Sequence, residues 1–229
     1  IGIGSICVIE EYDLTYEAVK IEDTEKEQKR FDKAIEQFKE ETSRMAEDIR
    51  NRIGPKEAEI LESHMVMISD PTMAGEMSKM IAVGQCAEAA VEAVCDMFIG
   101  MFSKMDDEFM QQRAADISDI KLSLLKILLG IEDVDIGSVP AGTILVARDL
   151  TPSMTSQIKK ENVAGILTEI GGKTSHSAIL ARALEIPAVL SVPNITTLVK
   201  NKDTAIVDGT EGNVYINPEG DILSGYIII

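Results

Sequence analysis

Residues 168–189 read TEIGGKTSHSAILARALEIPAV, and the organisation of the chain follows from this stretch. An apolar run of β character, 164–167, leads into it. Gly171 and Gly172 then break the strand, and Lys173, Thr174, Ser175 and His176 open a helix expected over 175–184. Strand, glycine turn and helix are the connection of an α/β unit. Working outward, short apolar runs of the same kind stand at 6–9, 143–147, 188–192 and 205–207, and a second helical stretch is expected at 153–160. Alternation of this kind predicts a substantially parallel sheet covered on both faces.

Between the first of those runs and the second the pattern changes. Phe31, Ala34, Ile35, Phe38, Met45, Ile49 and Ile53 recur mostly at spacings of three, four or seven, the stripe of an amphipathic helix. Gly54 and Pro55 end it and start a second helix, over 56–68. Ser69, Asp70 and Pro71 break the pattern before a short piece near 73–83, and 86–104 and 106–129 supply two further helical periods, the last closed by Gly130. The expected architecture is α/β plus all-α: an α/β subdomain made of 1–21 and 138–229, interrupted by a four-helix-bundle-like subdomain over 22–137.

Charge and composition narrow the function. The 229 residues are 45% hydrophobic, enough for substantial cores. Asp and Glu number 39 against 22 Lys and Arg, a net charge of −17. Nucleic acid and anionic membrane surfaces would repel such a chain. The helical insertion holds 26 of the acids and 14 of the bases, so the negative charge is concentrated there. Three cysteines, Cys7, Cys86 and Cys95, form neither a disulfide framework nor a CxxC site, which fits a reducing compartment. No apolar run approaches the roughly 20 residues needed to cross a bilayer, and no secretory signal pattern is present. A cytoplasmic location is expected. The start at Ile1 and the stop at an apolar run read as one piece of a longer protein.

The glycine turn is suited to an anion. Glycines let backbone N–H groups approach a ligand closely, and a helix start offers unpaired donors and a positive dipole end. Gly172, Lys173 and Thr174 spell GKT, but a nucleotide P-loop needs a glycine five residues before Gly172, where Leu167 stands. The other candidate is His176, one of only two histidines. Unprotonated imidazole is a good nucleophile, and a phosphoimidazole formed there would face the same N–H groups. A purely structural His176, packing or capping the helix, is the alternative. Thr174 and Ser175 are open to two readings as well, helix cap or donor to phosphate.

The segment GGKTSHSAILARALEIPAV resembles the phosphohistidine motif of the enzyme I family, the phosphoenolpyruvate-protein phosphotransferases of the bacterial sugar phosphotransferase system. The resemblance extends to DLTPSMTSQ from Asp149, ESHMVMISDP from Glu62, MDDEF from Met105 and RAADISDI from Arg113, and it concerns the N-terminal half of that family. It implies an α/β subdomain carrying the active histidine and a helical subdomain that docks the carrier protein HPr. By position, His176 resembles the phosphoryl-accepting histidine, modified on Nε2. Thr155 matches a threonine whose hydroxyl hydrogen-bonds that ring, and Arg182 an arginine that assists the phosphoryl group, with a solvated surface charge as its alternative. Gly171, Gly172, Thr174 and Ser175 would cradle phosphate. Lys173 stands where the family usually has arginine, and it keeps the charge without the bidentate fork.

Glu62, Met67, Asp70, Phe102, Met110 and Arg113 fall on the family's carrier-docking face, and the methionines of the insertion suit such a surface, although most are expected in its core. His64, beside that face, reads as an ordinary surface or interface histidine without metal-ligand spacing. The resemblance further implies that phosphoenolpyruvate and Mg²⁺ belong to a C-terminal barrel that also forms the dimer. This chain would then hold no metal or other cofactor, be monomeric, and use phosphoenolpyruvate poorly by itself. The rival reading is the swivelling phosphohistidine domain of a pyruvate phosphate dikinase or phosphoenolpyruvate synthase, which shares the GG, TSH and AR pattern but lacks the helical insertion. A binding-only module with a structural His176 is the second alternative.

Overall fold

The apolar run near the N-terminus becomes β1 (Gly2–Val8), and its parallel partner is β2 (Thr143–Ala147), with Ser5 opposite Thr143 and Val8 opposite Val146. The computed structural model describes residues 1–173 and 175–227, and these form two units, Ile1–Tyr12 with Val134 onward, and Asp13–Asp133. In the first unit β2 pairs in parallel with β3 (Val163–Thr168), and β3 with the two-residue β4 (Ala188–Val189). On its other side β1 pairs antiparallel with β5 (Thr204–Asp208), which turns back into β6 (Asn213–Ile216). The order is β4-β3-β2-β1-β5-β6, so four strands are parallel and a hairpin closes one edge.

The hairpin was not expected from the sequence. Its turn is held by the Asp208 carboxylate, which accepts the Thr210 and Glu211 N–H groups, and Gly212 takes φ +74°. The expected run 188–192 is cut short because the chain turns at Ser191, where φ is +58°. The expected helix at 153–160 shrinks to one turn. That turn, Pro152–Thr155, stops where the Thr155 and Ser156 hydroxyls bond back to carbonyls of their own turn. Ile6, Ile144, Val146, Leu167, Ala205 and Val207 form the core on one face of the sheet, with Ile195 and Val199 packed on them.

Five helices make the second unit: α1 (Thr24–Arg52), α2 (Pro55–Ile68), α3 (Pro71–Ala82), α4 (Ala87–Phe102) and α5 (Glu108–Leu129). The starts follow their chemistry. Asp23, Asp70 and Asp107 accept first-turn N–H groups, Pro55 and Pro71 stand at the first helical positions, and Gly130 ends α5 at φ +66°. Helix α4 is different, because Cys86 makes no side-chain cap. Glu27 of α1 supplies it, accepting the Ala87 N–H at 2.8 Å while Arg30 binds both Glu27, at 2.7 Å, and Glu88, at 2.6 Å. Phe31, Phe38, Ile68, Met77, Ile81, Val91, Ile117 and Leu124 fill the core between the helices.

The unit boundaries fall earlier than the composition suggested. Asp13–Ile21 belongs with the helices, because Leu14 packs on their core, the Tyr16 hydroxyl donates to Glu92 and the Ile21 N–H to Gly84. Val134–Gly137 belongs with the sheet unit, where the Val134 N–H donates to the Tyr12 hydroxyl and Ile136 is buried. In the unit 1 connections the remaining short helices are α6 (Pro152–Thr155), α7 (His176–Ala183), α8 (Ile195–Leu198) and α9 (Gly220–Ile227). Among the described residues no helix is long and apolar enough to cross a membrane.

The Arg30 hydrogen bond, reinforced by the Ala87 N–H, holds the Glu27 carboxyl below the usual carboxylate range. A carboxyl lowered on folding stabilises the fold above its unfolded pKa, and that contribution disappears as pH falls through the folded value. Glu27→Gln should therefore be less stable than the parent chain at pH 7, and urea unfolding should show the gap narrowing as pH is lowered toward 3.

Candidate active site

The carboxyl end of β3 delivers the chain to the site. Thr168, the last strand residue, is fully buried, and its hydroxyl donates to the Ile170 carbonyl at 2.6 Å. Gly171 takes φ +121°, a conformation that L side chains rarely adopt. Its carbonyl accepts the Ser191 hydroxyl. Gly172 has no such constraint, and a Cβ placed there would meet nothing within 4 Å. The glycine at 171 is thus required by the backbone, whereas the one at 172 leaves an open face beside the helix start.

Ser175 resolves one of the two readings left open. Its hydroxyl oxygen caps α7 by accepting the Ala178 N–H at 3.3 Å, and it donates to the Gly172 carbonyl at 2.8 Å. The Ser175 N–H also donates to Gly172, so Ser175 ties the turn to the helix instead of pointing a donor outward. Thr174 lies outside the described residues.

His176 is the first residue of α7, half-buried, with its Nδ1 buried. One-turn α6 packs against α7 and carries Thr155, which is 3% exposed. The Thr155 hydroxyl is 3.0 Å from both the Thr151 and Pro152 carbonyls. A hydroxyl whose proton is committed in this way can serve an imidazole N–H only as an acceptor.

Arg182 lies six residues along α7 from His176, roughly 9 Å further up the axis and about 120° around it at standard helix geometry. It lines a cleft of about 720 Å³ together with Gly171, Gly172, Lys173, Glu185 and Ser191. His176 is not among the residues of that lining. Arg182 therefore shares that cleft with Lys173 and the glycine turn. Lys173 and Arg182 are both exposed, and Lys160 binds Glu185 at 2.6 Å, holding that carboxyl below its ordinary range.

In the helical unit, the six residues placed on a docking face have different surroundings. Glu62 is bound by Arg50, and Asp70 is exposed, with the Thr72 N–H holding its carboxyl below the usual range. Met67 and Phe102 are half-buried against the core, and Met110 is half-buried in the first turn of α5. Arg113 stacks over the Phe109 ring, 4.9 Å from its centroid, and lies 3.6 Å from Asp116. Met97, Met101, Met105 and Phe109 are exposed, as are Val66 and Val83. A helical count was the available signal for two of these: Ala87, Ala90, Val91, Val94 and Cys95 are buried and Phe98 and Phe102 continue their stripe, which turns Met97 and Met101 outward. Met73 and Met77 are core.

His64 is a correction. It is 1% exposed, not on the surface, and sits between two carboxylates of α5, with Nε2 3.4 Å from Asp116 and Nδ1 3.6 Å from Asp119. Burial of that polar group is offset by these partners. Among the described residues no group of three or more His, Cys, Asp or Glu side chains is placed to hold a metal ion.

Residues 1–113 match the family model of the PEP-utilising enzyme N-terminal domain, and 139–212 match that of the PEP-utilising enzyme mobile domain. The NMR solution structure of Enzyme I superimposes with a TM-score of 0.81 at 35% identity, covering 99% of this chain and 94% of that one. The chain belongs to the enzyme I family. Two relatives named phosphoenolpyruvate-protein phosphotransferase, from Listeria innocua and Bacillus subtilis, are 40% and 41% identical over 227 residues, 99% of this chain. The chain spans 40% of the length of each of these enzyme I relatives. A structure described as the N-terminal domain of Enzyme 1 - Nitrogen, at TM-score 0.64 and 24% identity, shares the fold.

The two glycines of this enzyme I chain should respond differently to substitution. Gly171→Ala should destabilise the sheet unit by about 1–3 kcal/mol, the usual cost of such a backbone conformation. Gly172→Ala should stay within about 0.5 kcal/mol of the parent. Chemical denaturation of the two variants reads the difference.

Proposed function

We propose that this chain is the phosphohistidine and carrier-docking part of a phosphoenolpyruvate-protein phosphotransferase, and that His176 passes a phosphoryl group to and from HPr. The observation that carries the reading is the position of His176. It stands at the first residue of α7, behind a capped glycine turn at the carboxyl end of a parallel strand, with Nδ1 buried so that chemistry at the ring falls to Nε2. Sites in open α/β sheets gather at that end of the strands.

In the step, the Nε2 lone pair of His176 attacks phosphorus in line with the N–P bond of the carrier's phosphohistidine. The Nε2–P bond forms as the donor's N–P bond breaks, and the electron pair returns to the donor ring. The reverse step uses the same atoms. Backbone N–H groups at the glycine turn stabilise the phosphoryl oxygens, and Lys173 and Arg182 add positive charge on the cleft side of the turn. In this reading Thr155, on α6 packed against α7, braces the ring as an acceptor for its N–H. The acidic helical unit docks the carrier through Glu62, Met67, Asp70, Phe102, Met110 and Arg113, joined by the exposed Met101, Met105 and Phe109. Its charge accelerates encounter with a basic partner, an effect that salt screens over a Debye length of about 8–10 Å.

Phosphoenolpyruvate and Mg²⁺ enter this reading only through the rest of the longer protein, where dimerisation also resides, and the setting is the cytoplasm. The helical unit favours a protein carrier over the small-molecule exchange of the dikinase-type relatives, which lack it.

Incubation with phosphorylated HPr should place an acid-labile, base-stable phosphate on this chain, with or without EDTA, and His176→Ala should lose it. Equal labelling of His176→Ala, or none of the parent chain, overturns the assignment. Rapid labelling by phosphoenolpyruvate alone would overturn the division of labour with the absent part.

A further inference from the structure

Three consecutive carbonyls of the turn are held by three hydroxyls. Ile170 accepts from Thr168, Gly171 from Ser191 and Gly172 from Ser175. A trans peptide is planar, so its C=O and N–H point in opposite directions. Fixing those carbonyls therefore fixes the directions of the Gly171, Gly172 and Lys173 N–H groups. None of the three donates to an acceptor among the described residues. Successive backbone N–H groups that converge form a nest for an anion.

Two of the three hydroxyls are local. Thr168 ends β3, and Ser175 caps α7. Ser191 comes from a different connection, the one after β4, and reaches back 20 residues to Gly171. Its segment is anchored to β3 by the Val192 N–H, which donates to the Thr168 carbonyl at 2.9 Å. Ser191 also keeps φ at +58°, an uncommon backbone state for a residue other than glycine. Glycine would suit that backbone better, but it would lack the hydroxyl.

We propose that Ser191 is a positioning residue for phosphoryl transfer: its hydroxyl pins the Gly171 carbonyl and so aims the Gly172 N–H at the phosphoryl group carried by His176. The inference rests on the phosphotransfer reading above. Gly172 also leaves room for a ligand, since among the described residues no atom beyond its chain neighbours lies within 4 Å of the position its Cβ would take. No charge or nucleophile is contributed by Ser191 itself. Its effect is on the orientation of one amide.

The test compares Ser191→Gly and Ser191→Ala with the parent chain and His176→Ala, using phosphorylated HPr as donor. Ser191→Gly relieves the backbone and Ser191→Ala does not, so urea unfolding should leave the glycine variant at least as stable as the parent and the alanine variant less stable. Both lack the hydroxyl, and both should lose about tenfold or more in the saturating single-turnover rate of transfer, by analogy with the 10²–10³ lost when a donor to a developing oxyanion is removed. The phosphorylated HPr concentration that gives half that rate should change less than about twofold, because the docking residues are untouched. In the parent chain the Gly172 amide proton should move downfield when His176 is phosphorylated, and this shift should shrink in both variants. A parent-like single-turnover rate and a parent-like amide shift in Ser191→Gly overturn the inference while leaving the phosphotransfer reading intact. A parent chain that accepts no phosphate overturns both.

Discussion

Parallel pairing of β1 with β2 is the constraint on which the rest depends. Two parallel strands cannot be joined by a tight turn, and the connection must leave one end of the sheet and return to the other. Here Val8 and Thr143 bound that connection, and it contains the entire helical unit. Closure across so long a loop costs entropy, although the cost grows only logarithmically with length. Apolar contacts offset it. Ile6, Ile144, Val146 and Leu167 bring β1, β2 and β3 into one core, and β3 ends at the turn that holds the histidine.

The turn illustrates how a backbone is made to bind charge. A loop with three successive N–H groups that meet no acceptor among the described residues would ordinarily relax toward internal hydrogen bonding. Thr168, Ser191 and Ser175 prevent this by occupying the carbonyls. Gly171 and Ser191 are both at positive φ, as are Glu185, Asn194, Lys202 and Asn217 elsewhere in this unit, and the Ser191 hydroxyl binds the Gly171 carbonyl. Strain of that kind persists where the surrounding structure over-determines it, and it clusters at functional sites.

The helical unit handles polarity in two ways. Most of its acidic residues are solvated, but Glu27, Glu88, Asp116 and Asp119 are buried, and each has a cationic or titratable partner: Arg30 for the first two, His64 for the others. The buried pairs join α1 to α4 and α2 to α5, so they fix which helices meet. Whether such pairs add net stability depends on geometry, whereas removing one partner is costly. The exposed Met97, Met101 and Met105, by contrast, carry flexible apolar side chains, and this is what an adaptable contact surface requires.

Local chemistry was legible in the amino-acid order. Gly171 and Gly172 before a capped helix, the apolar stripe through Phe31, Phe38 and Ile49, the aspartates and prolines at helix starts and the family motif around His176 all act within a few residues of themselves. They determined the α/β unit with its helical insertion and the place of the histidine. Tertiary structure alone decided the remainder. The β5–β6 hairpin forms on a sheet edge that β1 provides, Glu27 caps α4 from 60 residues away, and His64 is buried by carboxylates of α5. Arg182 faces the cleft with Lys173, and Ser191 reaches Gly171 only because β4 lies beside β3. The physical reason is common to these cases: a hydrogen bond or ion pair between residues distant in sequence has no local periodicity, and it exists only after packing has brought its two ends together.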